Sequence, residues 1–403
     1  MKVLFVSDVP LENPTSGAEQ VLFQQAQGLV REGMEVYAIT RQDRAYPIVF
    51  RNVAGAEEAC YSAQPKNIVR FSSSLLKKPP ILYKRFTEGG TFDAWICHQP
   101  FTSFSLLMRG KLKDTPFLYV FHSPSHEEYI LSHENKSRLI NFLHVSARRM
   151  IERYCLKRAL IILVLSEYMK QRVQEIHKIL PDKIIVNPGG VDLDRFKPHS
   201  SRDSLKKKLG FPERKIHLLT VRNLDPRMGI DNLLKCIFLL KKKKFPIYLI
   251  LGGEGTERKN LERIIEENGL NENVTMKGFI PPGILPDYYG AADFFVLPTR
   301  RLEGFGLVTP ESMACGTPVL GTPVGGTVEI LSGLDKQFLF KDCSPEAMAE
   351  GIQAVINKYF TNRNKYDQLR IRCREYTEKK YPWQRHINQL KLSLEKATRS
   401  KKF

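Results

Sequence analysis

A chain of 403 residues, 42% hydrophobic and free of long low-complexity tracts, is too long for one ordinary domain and too apolar to be disordered. Two domains of roughly 200 residues each are expected. Lys and Arg number 62 against 43 Asp and Glu, a formal net charge of +19, which suits an anionic partner such as a nucleotide, a phospholipid surface or a nucleic acid.

The opening "MKVLFVSDVP" carries an apolar run of only four residues, ended by Ser7 and Asp8, so it reads as a first strand rather than a signal peptide. "SGAEQVLFQQAQGLVREG" follows as a helix with Val21, Leu22, Ala26, Leu29 and Val30 on one face, a Ser16/Glu19 capping-box pattern at its start and Gly33 as its stop. Further strands are predicted at "EVYAIT", "NIVRF", "AWICH", "FLYVFH", "LIILVLS" and "KIIVN", and a long charged helix over 134–158. The longest apolar run, "ALIILVL" at 159–165, is far short of the roughly 20 residues that span a bilayer.

A second series begins near residue 216. "IHLLTV", "IYLILGG", "VTMKGF", "DFFVLP" and "PVLGT" read as strands, separated by helices such as "GIDNLLKCIFLLKKK" and "TERKNLERIIEENG". Continuous apolar strands alternating with helices predict parallel sheets covered on both faces, and two series predict two doubly wound α/β domains. The polar stretch 192–215, with Pro198 and Pro212, marks the break. The domains are therefore placed at 1–195 and 196–382, with an amphipathic helix at 383–403, after the last strand, expected to pack back on the first domain.

Charge is uneven along the chain. Residues 59–87 carry Lys66, Arg70, Lys77, Lys78, Lys84 and Arg85 without an acidic residue, "KKKK" stands at 241–244, and the tail after 362 is strongly basic. The seven cysteines are odd in number and show no paired spacing, which argues against a disulfide framework or a zinc site and fits a reducing cytosol.

In open parallel sheets ligands bind beyond the carboxyl ends of the strands. "LEGFGLVTPESMACGTPV" at 302–319 lies at such an end, with Glu303 in the loop and Glu311 one turn into the helix that begins near Leu307. Gly304 and Gly306 admit a ligand close to the backbone, and a helix start attracts anions. A diphosphate there, flanked by sugar hydroxyls on Glu303 and Glu311, has the shape of a nucleotide-sugar. Glutamates in loops and first turns also occur as solvated residues or helix-dipole partners, so the residues alone leave both readings open.

The stretch "RLEGFGLVTPESMACGTPVLGTPVGGTVEIL" resembles the donor-site signature of the family-four, or group 1, glycosyltransferases of GT-B fold, in which two Rossmann-like domains face a central cleft. "SGAEQVLFQQAQGLVREGMEV", "IIVNPGGVDLDRFKP", "VRNLDPRMGI" and "GFIPPGILPDYYGAADFFVLP" extend the resemblance over nearly the whole chain. It implies a retaining transferase that moves a hexose-type sugar from a nucleoside-diphosphate sugar to a glycan or lipid-linked acceptor, without a catalytic metal or other cofactor. It also implies a place in cell-surface polysaccharide or glycolipid synthesis.

The resemblance also implies roles. Glu303 matches the glutamate that binds the transferred sugar, and Glu311 the one that binds the ribose. Gly304, Phe305, Gly306 and Leu307 supply amides to sugar and phosphate, and Arg222 neutralises the leaving diphosphate. His122, at the end of "FLYVFH", matches a histidine near the reacting sugar, although a packed strand-end histidine is the plain alternative. Gly17 keeps the close-approach position of a phosphate loop that usually reads Gly-Gly and here reads Ser16-Gly17. The family often has a lysine six residues after the arginine; here that position is Met228, and Arg227 is the candidate substitute. His98 is read as a packed histidine, Asp192 and Asp194 as structural rather than metal-binding, and "GGEG" at 252–255 as a turn near the nucleotide.

Three rivals are weighed. A dinucleotide oxidoreductase should show G-x-G-x-x-G after the first strand, where this chain has "DVPLENPTSG". A nucleic-acid binder should carry a recognition motif, and none accompanies the charge. A non-catalytic nucleotide-sugar-binding relative is the alternative that Met228 raises. Finally, "NIVRFSSSLLKKPPILYKRF" interleaves basic and apolar residues as an anionic membrane face would, so a cytoplasmic protein peripheral to the inner leaflet is expected.

Overall fold

The computed structural model describes residues 1–43, 47–64, 68–109, 115–132 and 138–399. The chain forms two compact units: Met1–Gly189 with Trp383–Phe403, and Gly190–Pro382. The division falls six residues before the 195/196 boundary expected from sequence, because the backbone from Gly190 runs with the second unit. There Val191 N–H donates to the Tyr381 carbonyl at 2.8 Å.

The first unit is built on eight strands: β1 (Lys2–Ser7), β2 (Glu35–Gln42), β3 (Val49–Val53), β4 (Ala56–Ser62), β5 (Ala94–His98), β6 (Phe117–Phe121), β7 (Ile161–Val164) and β8 (Ile184–Val186). Their order is β3-β4-β2-β1-β5-β6-β7-β8. Every pairing is parallel except the β3–β4 hairpin. β5, β6 and β7 are buried at every position, as strands covered on both faces must be.

Two elements differ from the sequence reading. "NIVRF" is not a strand: the helix Ile68–Thr87 begins there, and Asn67 and Lys66 lie outside the described residues. The β-branched start is overridden by the apolar spacing that follows, since Leu75, Pro79, Leu82 and Tyr83 are buried at helical intervals. The β3–β4 hairpin was not foreseen. Its two-residue turn uses positive φ at both Ala54 (51°) and Gly55 (90°), a conformation that Asn-Gly signals far better than Ala-Gly. The long charged helix runs Arg138–Arg158, with 134–137 outside the described residues.

The first helix, Gly17–Arg31, has the expected capping box: Glu19 N–H donates to Ser16 Oγ at 3.3 Å, and Ser16 N–H donates to the Glu19 carboxylate at 2.8 Å. The last helix, Trp383–Arg399, packs on it. Gly28 makes that approach possible, because a Cβ there would lie 2.5 Å from Ile387 side-chain carbons.

The second unit has five parallel strands, β9 (Ile216–Val221), β10 (Ile247–Gly252), β11 (Val274–Gly278), β12 (Phe294–Leu297) and β13 (Val319–Gly321), in the order β11-β10-β9-β12-β13. The order reverses at β9, so the carboxyl ends of β9 and β12 flank the switch point where open α/β sheets bind ligands. All seven cysteines are free thiols. Among the described residues no helix is long and apolar enough to cross a membrane.

The docking of the last helix yields a paired test. Leu390 is fully buried and Leu392 is 59% exposed on the same helix. Leu390→Ala should destabilise the first unit by about 2–5 kcal/mol through lost burial and the cavity left behind. Leu392→Ala should change stability by less than about 0.5 kcal/mol. Urea unfolding followed by tryptophan fluorescence checks both; equal midpoints for the two variants would contradict this packing.

Candidate active site

Arg222 is the first residue beyond β9. Its amide donates to the Gly252 carbonyl at 3.0 Å, and Leu224 N–H donates to Glu254 O at 2.9 Å, so the "GGEG" turn lies directly against the Arg222 loop. After β12 the chain turns back toward the same loop. Arg300 N–H donates to the Arg227 carbonyl at 2.8 Å, and Arg227 Nη1 donates to Leu302 O at 2.9 Å. Two loops from neighbouring strands are thereby stitched together at the switch point.

The stitching places Arg222 against Glu303. Arg222 Nη2 donates to Glu303 Oε2 at 2.5 Å, and Thr299 Oγ1 donates to the same oxygen at 3.0 Å. The two side chains are only 8% and 9% exposed. A charge removed from water to that degree requires a partner, and each meets that need for the other. Met228 is buried with Sδ 3.0 Å from Arg222 Nη2. Arg222 Nε is buried without an acceptor among the described residues, leaving one charged N–H uncommitted.

The loop Gly304–Leu307 follows. The amides of Phe305, Gly306 and Leu307 make no hydrogen bond within the described residues. The helix beyond, Val308–Ala314, is only seven residues long, so anion attraction here rests on these amides and Arg222 more than on a helix dipole. The loop is seated on a turn that sequence reasoning passed over. Gly326 N–H donates to Glu303 O at 3.0 Å, and Gly325, at φ 59°, would drive a Cβ to 1.9 Å from that oxygen. The Gly-Gly pair inside the quoted signature was the available signal.

Glu311 is the fourth residue of the short helix and accepts a 3.1 Å hydrogen bond from the buried Tyr289 hydroxyl. Burial pushes its carboxyl up to about 7, against the opposing pull of Tyr289 and Arg195. The structure thus brings together Arg222, Arg227, Glu303 and the loop 304–307, with Glu311 one turn further on.

Gly17 and His122 belong to the first unit. Gly17 is the exposed first residue of its helix. His122 follows β6, with Nε2 2.9 Å from Nδ1 of His98 at the end of β5. His98 is fully buried, as its reading as a packed histidine expected. Its partners, Gln25 and then His386, gave no sequence signal. Asp192 Oδ1 accepts from the amides of Asp194 and Arg195, both at 3.1 Å, and so closes a turn. Among the described residues no three His, Cys, Asp or Glu side chains cluster so as to hold a metal ion.

Comparison with known proteins matches residues 15–195 to the model of glycosyltransferase family 4 and residues 201–380 to that of the group 1 glycosyl transferases. The chain belongs to the family-four, group 1 glycosyltransferases. A D-inositol 3-phosphate glycosyltransferase of Corynebacterium jeikeium is 26% identical over 95% of this chain and 94% of its own. A GDP-mannose-dependent alpha-(1-6)-phosphatidylinositol monomannoside mannosyltransferase of Mycolicibacterium smegmatis is 32% identical over 36% of this chain and 40% of its own. The sucrose-phosphate synthase structure from Thermosynechococcus elongatus matches with a TM-score of 0.83 at 21% identity, covering 99% of this chain and 100% of that one, which shows the GT-B fold.

The raised Glu311 carboxyl sets a pH dependence for this glycosyltransferase. If Glu311 binds ribose hydroxyls as a carboxylate, binding must remove its proton at any pH below about 7. Affinity for a free nucleoside diphosphate should then fall as pH drops from 8 to 6, approaching about tenfold per unit below 7. Glu311→Gln should bind more weakly at pH 8 and lack this component, leaving only the titration of the nucleotide itself. Calorimetry on both proteins across that range checks it; parallel pH profiles would remove Glu311 from the ribose site.

Proposed function

We propose that this glycosyltransferase is a retaining enzyme that transfers a hexose from a nucleoside-diphosphate sugar to a glycan or lipid-linked acceptor. The observation that carries the reading is the buried Arg222–Glu303 pair beside a loop of uncommitted amides at the switch point of the second sheet. A sugar diphosphate supplies what these groups lack. Its phosphates would take the amides of Phe305, Gly306 and Leu307 and the spare Arg222 Nε–H, and its sugar hydroxyls the carboxylate of Glu303. The similarity to a GDP-mannose-dependent mannosyltransferase supports a nucleotide-sugar donor.

The chemistry follows from charge. Departure of the nucleoside diphosphate builds negative charge on the β-phosphate, and preformed cations and amides lower the barrier because they need not reorganise. Arg222 is the principal cation. Arg227 is the second, in place of the lysine that Met228 replaces. Oε2 of Glu303 is already held by Arg222 and Thr299 and is therefore a poor nucleophile. This favours same-face attack, with the departing phosphate accepting the acceptor proton, over double displacement. His122 is assigned to the transferred sugar and Gly17 to close approach of the substrate. No metal is required.

The acceptor reading rests on the first unit. On the helix Ile68–Thr87, Leu75, Leu82 and Tyr83 turn inward, while Leu76 (42% exposed) and Ile81 (63%) face outward with Lys77, Lys84 and Arg85. Lys78 is committed to the Ser62 carbonyl at 2.8 Å. The helix Arg138–Arg158 exposes Phe142, Leu143 and Met150 among Arg149, Arg153 and Lys157. Each face combines insertable apolar groups with positive charge, which suits an anionic leaflet. Peripheral attachment and a lipid-linked acceptor follow.

Release of nucleoside diphosphate from UDP-, GDP- and ADP-sugars identifies the donor. With that donor, Arg222→Gln should lower kcat by about 10²–10³-fold. Glu303→Ala should reduce turnover more than nucleotide affinity, Arg227→Ala should be impaired, and wild-type activity should survive EDTA. Full activity in both the Arg222 and Glu303 variants would refute the site. Loss in EDTA with rescue by magnesium or manganese would refute metal independence.

Liposome co-sedimentation tests the acceptor reading. Binding should need anionic lipid, weaken with salt, and fall when Lys77, Lys84 and Arg85 are changed together to Ser. Equal recovery with neutral and anionic vesicles would point to a water-soluble acceptor instead.

A further inference from the structure

At the carboxyl edge of the first sheet, β5 ends in His98 and β6 is followed by His122. Their rings lie 5.1 Å apart, with His122 Nε2 and His98 Nδ1 separated by 2.9 Å. Behind His98 a line of buried polar atoms runs between the first and last helices. His98 Nε2 is 3.0 Å from Gln25 Oε1 on the first helix, and Gln25 Nε2 is 2.9 Å from His386 Nε2 on the last helix. His386 Nδ1 is 2.7 Å from the Pro188 carbonyl. Gln25, His98 and His386 are at most 2% exposed.

The line has one consistent proton order. A carbonyl only accepts, so His386 carries its proton on Nδ1 and, being neutral, accepts at Nε2. Gln25 must then turn its amide N–H toward His386 and its oxygen toward His98. His98 donates from Nε2, accepts at Nδ1, and so requires a proton on His122 Nε2. Reversing the Gln25 amide would require two protons on His386, a cation in a site without a carboxylate partner. Burial acts in the same direction. It pushes His122 and His386 down to about 4 and His98 well below the ordinary histidine value, so all three rings are neutral at pH 7.

We propose that Pro188, His386, Gln25 and His98 form a directed hydrogen-bond chain that holds His122 as its Nε2–H tautomer, leaving Nδ1 as an acceptor for a substrate hydroxyl. The catalytic consequence rests on the assignment of His122 to the transferred sugar. His98, Gln25 and His386 are positioning residues; they act only through His122. Packing alone does not require the arrangement, since apolar side chains of the same shape in their place would be about as stable. A neutral ring presenting a lone pair accepts O–H groups and has no charge with which to hold phosphate. The chain therefore makes His122 a reader of sugar hydroxyls and leaves phosphate binding to the second unit.

The test uses full-length protein with 15N-labelled histidine. His122 is assigned by its loss in a His122→Gln spectrum. Wild-type His122 should show a protonated-type Nε2 and an unprotonated-type Nδ1 at pH 7. In Gln25→Leu the ring should sample both tautomers. Its kcat should fall by about tenfold, the worth of one oriented hydrogen bond, while the Kd of the free nucleotide stays unchanged. A wild-type His122 protonated at Nδ1 or at both nitrogens overturns the proposal, and this reading needs only the His122→Gln protein, as its assignment reference. A folded Gln25→Leu protein with undiminished kcat also overturns it. The underlying assignment fails separately: full turnover in His122→Ala would remove the catalytic role of His122, whereas the histidine spectra of the wild type and Gln25→Leu decide whether the chain orders the ring.

Discussion

At the carboxyl edge of the second sheet two loops are held together by a buried ion pair. Arg222 and Glu303, 2.5 Å apart and each less than a tenth exposed, come from loops beyond two neighbouring strands. Neither side chain tolerates that environment alone, because truncating one partner strands the other's charge in a poorly solvated site. The rest of the edge is arranged around keeping the two loops in register. The Arg227–Leu302 and Arg300–Arg227 hydrogen bonds link them, the "GGEG" turn supports one and the Gly325-Gly326 turn seats the other. A thioether at Met228 is consistent with this. A second cation beside Arg222 would compete for Glu303, whereas sulfur contacts the guanidinium without drawing it away.

In the second unit the Arg222 Nε–H and the amides of Phe305, Gly306 and Leu307 are uncommitted among the described residues. In the first, the buried line from Pro188 to His98 is neutral and closed on itself except at His122. Neutral networks buried this way specify orientation more than affinity, since each member fixes the next.

Much of this was legible in the sequence, for identifiable reasons. Apolar strand runs and the Ser16/Glu19 box are local signals, and they located the sheets and the first helix. Arg222, Glu303 and Gly304–Leu307 lie in short loops after strands, and Glu311 in the first turn of the helix that follows, where residue type is a local signal. What escaped notice was non-local or atypical. The β3–β4 hairpin turns on Ala-Gly, and "NIVRF" shows strand propensity that the apolar spacing after it overrides. Gly325 and Gly326 matter because the carbonyl of Glu303 approaches them. Gln25 and His386 look like an ordinary helical glutamine and histidine until the fold joins them.

That joining spans 361 positions, since Gln25 lies in the first helix and His386 in the last. A ribosome must complete the whole second unit, Gly190–Pro382, before the helix that carries His386 exists. At about 5–20 residues per second this interval is on the order of 10–40 s. During it the nascent first unit has its eight strands but not the helix that covers Gln25 and Gly28. Its apolar face toward Ile387, Leu390 and Leu394 waits uncovered, and His122 waits without its anchor. The route of the chain therefore delays assembly of the histidine line until the second unit has been made, so a truncated translation product lacks it.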